Sequence, residues 1–128
     1  MGLRQTVYTR TTGGSAGSLV STRCYPDMLP ENVTMPAIRY IIVSYNDATY
    51  REYGNATTRA THRVQFDCYS ETVDGAAELA DAVRTDWDGY SRGTAVGRAR
   101  VANRIDDGWN DDINAYRWIV DVMVEHKH

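Results

Sequence analysis

The sequence predicts an α+β fold in two layers: a mostly antiparallel four-stranded sheet, an amphipathic helix on one face, and a long hairpin arm. Three observations predict it. Residues 61–69 alternate apolar and polar with period two, the mark of a half-buried strand. Residues 76–87 switch to a helical period. A run rich in β-branched and aromatic residues lies at 37–45, and further strands are read at 95–105 and 115–125. With 128 residues, 42% apolar and 24% charged, the chain reads as one globular domain over 1–128, able to build a core without disulfide or metal.

Taken in order, residues 3–10 read as a short helix with Leu3 and Val7 on one side. Thr11–Ser18 reads as a Gly/Ser/Thr loop. Its glycines lack the Gly-Lys-Ser/Thr ending of a phosphate loop and follow no strand, so no phosphate role is expected. Pro26, Pro30 and Pro36 each remove a backbone donor and disfavour helix before them, which makes 23–36 extended and irregular. The run 37–45 is then a strand. Residues 46–58 are a polar connection with Tyr50, Arg51, Tyr53 and Gly54, and 61–69 is the returning strand, so 46–58 reads as the tip of a long hairpin. In the returning strand Val64, Phe66 and Cys68 face one way, and Arg63, Gln65 and Asp67 the other.

The helix is read at Thr72–Asp88. Ala76, Leu79, Ala80, Val83 and Trp87 form its apolar stripe, Thr72 its N-cap, Asp74 a favourable first-turn charge, and Gly89 its stop. Residues 95–105 read as a strand with Ala99, Val101 and Ile105 on one face and Arg98, Arg100 and Arg104 on the other. Asp106–Asp112 reads as a turn around Asp106-Asp107-Gly108. The last strand, 115–125, places Tyr116, Trp118, Val120, Val122 and Val124 on one side, with Ile119 and Met123 on the other.

Composition narrows the function. The net charge of -3 argues against a sequence-independent grip on nucleic acid. No run of apolar residues is long enough to span a membrane, and residues 1–10 have no secretory apolar core. Cys24 and Cys68 are expected as free thiols, since one distant pair is neither a disulfide framework nor a zinc site. His62 pairs with no nucleophile by spacing, and His126 and His128 lie at the end of the chain. Asp106, Asp107, Asp111 and Asp112 lack the ligand order of a calcium loop. No catalytic, cofactor or metal residue is expected. What stands out is surface: an arginine row, Arg98, Arg100 and Arg104, and a tip bearing Tyr50, Arg51 and Tyr53. Tyr and Arg are enriched where proteins meet. Arg39 and Arg63 extend the row if neighbouring strands are in register, and Asp67, Asp121 and Glu125 are the acids that could neutralise it within the chain.

Four landmarks then occur in one order. The first is Arg23-Cys24-Tyr25-Pro26-Asp27-Met28-Leu29-Pro30, followed by Met35-Pro36-Ala37-Ile38-Arg39-Tyr40. Next come Val64-Gln65-Phe66-Asp67-Cys68-Tyr69 and the helix Asp74–Trp87, with Ala76, Leu79, Ala80, Ala82 and Val83 in the spacing Ala-x-x-Leu-Ala-x-Ala-Val. The last is Tyr116-Arg117-x-x-x-Asp121-x-x-Val124. Over residues 20–126 this order resembles the tail-completion domain of long-tailed bacteriophages. Residues 1–20 depart from it, being Thr/Gly-rich where the family has a longer Ala/Leu-rich helix. The resemblance implies a tail terminator of the virion neck, made in the host cytoplasm. Such a protein forms a ring, usually a hexamer, at the head-proximal end of the tail tube. Its implied partners are further copies of itself, the tail tube protein and the head–tail connector or stopper. The genome crosses the lumen without specific binding. It brings no catalytic residues and no cofactor. A head-side connector or neck protein is the neighbouring alternative, and a small nucleic-acid-binding protein a more distant one.

Overall fold

The computed structural model describes residues 3–52, 55–90 and 96–127, with 44–52, 55–60, 96–97 and 126–127 described by backbone alone. The elements are α1 (Leu3–Gly13), α2 (Gly17–Val20), β1 (Cys24–Pro26), β2 (Ala37–Glu52), β3 (Asn55–Ser70), α3 (Val73–Trp87), β4 (Val96–Asn110) and β5 (Ala115–Lys127). The strands form one sheet in the order β1-β2-β3-β5-β4. All pairings are antiparallel except β1 on β2.

The α+β, two-layer expectation holds, with a fifth strand added to the expected four. β1 is three residues long and lies parallel to β2, pairing Cys24 with Ile38 and Pro26 with Tyr40. It sits at the sheet edge, where a proline costs no ladder bond. The Gly/Ser/Thr loop is also shorter than its composition implies, because α1 runs on to Gly13 and α2 begins at Gly17.

The helices cover one face. Ile38, Tyr40, Ile42, Val64, Phe66, Cys68, Val120, Val122 and Val124 project from the sheet into a core closed by Leu3, Val7, Val20, Leu79, Ala80, Val83 and Trp87. Trp87 is fully buried, its ring 5.8 Å from Phe66 and 6.4 Å from Tyr90, and its Nε1 donates to Thr11 Oγ1 at 3.2 Å. The α3 boundaries follow the expected signals. Thr72 Oγ1 accepts from Gly75 N at 3.0 Å, and Gly89 has φ +77°. Asp88 then reaches across to β4, accepting from Val101 N at 3.0 Å.

The glycine-rich segment binds an anion after all, and that anion belongs to the chain. The Asp86 carboxylate accepts from Ser15 N at 2.6 Å and Ala16 N at 3.0 Å. A side chain at Gly14 would collide with this carboxylate, and one at Gly17 with the Thr12 carbonyl. Arg10 donates to the Asp86 carbonyl at 3.0 and 2.6 Å and lies 3.7 Å over the Tyr90 ring. These bonds tie α1 and α2 to the end of α3.

Two connections differ from the sequence reading. β2 and β3 stay paired as far as Glu52 and Asn55, so only residues 53 and 54 lie between them and 46–58 is not a loop. The polar composition misled because a ribbon with no helix over it needs no apolar alternation. Gly54, expected at positive φ, lies outside the described residues. Likewise β4 continues through Asp106 to Asn110, and the turn falls at 111–114, where Asn114 has φ 56°. Asp107 is a bulge and not the turn's centre: the register steps from Asp106 to Gly108 on β4 while β5 steps only from Trp118 to Arg117.

Candidate assembly surface

The sheet face away from the helices carries charge in rows. Going from the β4–β5 turn toward the hairpin, one row is Arg39, Asp67, Ile119 and Ile105, and the next is Ile41, Gln65, Asp121 and Asn103. Then come Ser44, Arg63, Met123 and Arg100, followed by Asn46, Thr61, Glu125 and Arg98. The strands are therefore in the register that lets Arg39 and Arg63 join the arginine face.

The half nearer the turn neutralises itself. Asp67, fully buried, accepts from Arg39 Nε at 2.9 Å and from Gln65 Nε2 at 2.9 Å, while Arg117 stands 4.0 Å away. Arg117 also pairs with Asp107. Arg63 donates to Asp121 Oδ2 at 2.7 Å, which holds the guanidinium above its ordinary pKa. The other oxygen of Asp121, Oδ1, is buried with no hydrogen-bond donor among the described residues. A buried acceptor without a donor is costly.

The half nearer the hairpin is not neutralised. Arg98 and Arg100 are exposed and make no ion pair among the described residues. With Thr61, Met123 and Glu125 they line a shallow hollow of about 100 Å³.

Arg104 does not belong to this surface. β4 carries an extra residue, Ala102, between the pairs Val101–Val122 and Asn103–Asp121. One inserted residue reverses which way every later side chain points. Arg104 thus stands opposite Val120 on the helix side and pairs with Asp81 of α3 at 2.5 Å. The same reversal takes Ile105 off the core face and leaves it 42% exposed.

Tyr50 and Arg51 are placed only by backbone. They pair with Thr57 and Ala56 in the part of the β2–β3 ribbon beyond the Arg59–Lys127 pair, where no third strand joins among the described residues. Tyr53 lies outside the described residues. Sequence reasoning did not single out the cleft of about 500 Å³ between the 28–35 segment and the β4–β5 turn, lined by Met28, Glu31, Met35, Arg39, Asp112 and Asn114. It joins two segments 80 residues apart in sequence, and no local pattern announces that. Among the described residues no cluster of His, Cys, Asp and Glu has the arrangement of a metal site, and no helix is long and apolar enough to cross a membrane. Cys24 and Cys68 are both buried free thiols.

Comparison with known proteins assigns this architecture. A chain in the "Virion of native gene transfer agent (GTA) particle" shares the fold, with a TM-score of 0.66 and 17% identity, over 98% of this chain and 95% of that one. No curated protein sequence matches it. Residues 5–125 match the family described as Tail completion protein gp17. The chain belongs to that family, and is a structural protein of a phage-type virion tail.

Proposed function

We propose that this protein is a tail terminator: a ring, six-fold in the usual case, that caps the head-proximal end of the tail tube and joins it to the connector below the capsid. The family match over residues 5–125 carries the reading. The surface supports it, because Arg98 and Arg100 are exposed charges that make no ion pair among the described residues and the described β2–β3 ribbon runs on past its pairing with β5. In this reading Arg98 and Arg100 meet carboxylates of a neighbouring protein, and Tyr50, Arg51 and Tyr53 contact a neighbouring subunit or the tube. The role is structural, with no chemistry, and DNA passes the lumen without specific contacts.

Electron microscopy of particles made without this chain tests the proposal. Overlong tubes separated from filled heads are expected. Tails of normal length joined to heads would sink it. Normal-length tails beside heads that leak DNA would move the chain to the head-side connector. In the ribbon, replacing Tyr50, Arg51 and Tyr53 together by Ala should leave the circular dichroism spectrum unchanged and reproduce the tail defect. Normal tails would remove the ribbon from the contact.

A further inference from the structure

The surface leaves two unsatisfied regions at opposite ends of the sheet. At one end are Arg98 and Arg100, which make no ion pair among the described residues, around the hollow that Thr61, Met123 and Glu125 also line. One row below Arg100 lies Asp121, whose buried Oδ1 has no donor. A partner that completes this surface must bring carboxylates to Arg98 and Arg100. At the other end is the β4–β5 turn. Asp111 and Asp112 are exposed there and make no ion pair among the described residues.

The turn is also stiff. Asn110 Oδ1 accepts from Asp112 N at 3.0 Å and Ile113 N at 3.3 Å, while Asn114 N donates to the Asn110 carbonyl at 2.8 Å. Trp109 Nε1 donates to Asp111 at 2.6 Å, and its ring meets Tyr116 edge-on at 5.1 Å. With the Asn110 oxygen committed to the turn, its amide NH₂ remains a donor beside the two acids. A preformed protrusion loses little entropy on docking.

These two surfaces cannot meet within one molecule. Arg98 stands opposite Glu125 and Asn110 opposite Ala115, so ten residues of β5 separate them. At the rise of a strand that is about 33 Å. We infer that the Asp111–Asp112 turn of one copy docks on the Arg98–Arg100 hollow of the next, so that the acids the arginine face needs come from this same chain. The contact joins two different patches, is therefore head-to-tail, and can repeat from copy to copy until a ring closes. The occupant is a second copy because its charges are opposite, its turn is preformed, and the two patches lie too far apart to satisfy each other at home. The inference rests on the multi-copy reading above and names which surfaces meet.

The experiment is a paired cysteine cross-link in particles carrying the full chain. Arg98→Cys and Asp112→Cys are combined in one chain and treated with a short bis-maleimide. Cys24 and Cys68 are buried and stay silent. A ladder of covalent multimers is expected, lost in either single variant. Absence of the ladder from particles that contain the chain overturns the inference. So does a single variant joined to a different virion protein, although that result leaves the terminator reading standing. Charge exchange guards against a cysteine pair that fails to assemble. Arg98→Glu with Arg100→Glu, and Asp111→Arg with Asp112→Arg, should each abolish incorporation into particles, and all four together should restore it. A fourfold variant as defective as its parents, with an unchanged melting temperature, also overturns the inference. Failure of the terminator reading shows separately, as normal tails in particles lacking the chain.

Discussion

The two faces of the sheet differ in how far this chain can complete them alone. Under the helices the described rows close: apolar side chains from β2, β3 and β5 meet α1, α2 and α3, and Trp87 of α3 has its one polar atom satisfied by Thr11. On the opposite face the charges nearer the β4–β5 turn find partners, while Arg98 and Arg100 find none among the described residues. The lesson is that stability lies mainly on one side of the sheet and the surface proposed for assembly on the other. A pair such as Asp67 and Arg39 belongs to the first even though it sits on the face of the second.

Substitutions can break that division, beginning with the largest effect. Trp87→Ala should cost about 3–5 kcal/mol, the range for losing a large buried aromatic, read as a drop in denaturation midpoint. Asp67→Asn leaves Arg39 and Arg117 facing each other without the buried carboxylate and should cost about 3 kcal/mol, also by denaturant titration. A small cost there would mean the open face contributes nothing to folding.

Alkaline pH sharpens the contrast from the helix side. Burial pushes the Cys24 thiol from 9.0 up to about 12, and raises Cys68 as well. Both pKa values are raised, so the folded state holds the thiols protonated where the unfolded chain would ionise them. That stabilisation is whole below pH 9 and is lost as pH climbs toward 12. By pH 10 the Cys24 term amounts to about 1 kcal/mol, measurable as a falling melting temperature. Smallest of all, Arg98→Glu with Arg100→Glu should leave the melting temperature of the isolated chain in place while particle assembly fails. A large thermal shift would show these arginines to be part of the fold.

Much of this arrangement is legible without coordinates. α3 announces itself because its stripe, its cap and its stop agree, and Thr72 and Gly89 do what their types predict. β3 is legible because half-burial forces Val64, Phe66 and Cys68 to alternate with Arg63, Gln65 and Asp67. The exposed pair, Arg98 and Arg100, is legible for the same reason. Other features depend on distant contacts that leave no local mark. β1 exists only because β2 offers an edge to Cys24–Pro26. The ribbon beyond the Arg59–Lys127 pair lacks the apolar alternation of a covered strand, so its residues resemble a loop. Asp86 reads as one more helix-surface acid until Ser15 and Ala16 fold back onto it. The face of Arg104 was misread because the bulge at Ala102 has no sequence signature.

That bulge has a consequence for how such a protein can change. Substitution alters one side chain and leaves its neighbours where they were. Removing Ala102 would instead take out the bulge and leave Asn103, Arg104, Ile105 and Asp106 on their present faces, because Asn103 would follow Val101 directly and stay opposite Asp121. Taking Ala102 into the ladder without losing it is the event that would exchange their faces, as far as the irregularity at Asp107. Gly97, Ala102 and Asp107 divide the edge strand into short independent segments. In such a strand one residue gained or lost can be taken up at a bulge, which leaves the remainder of the sheet in register.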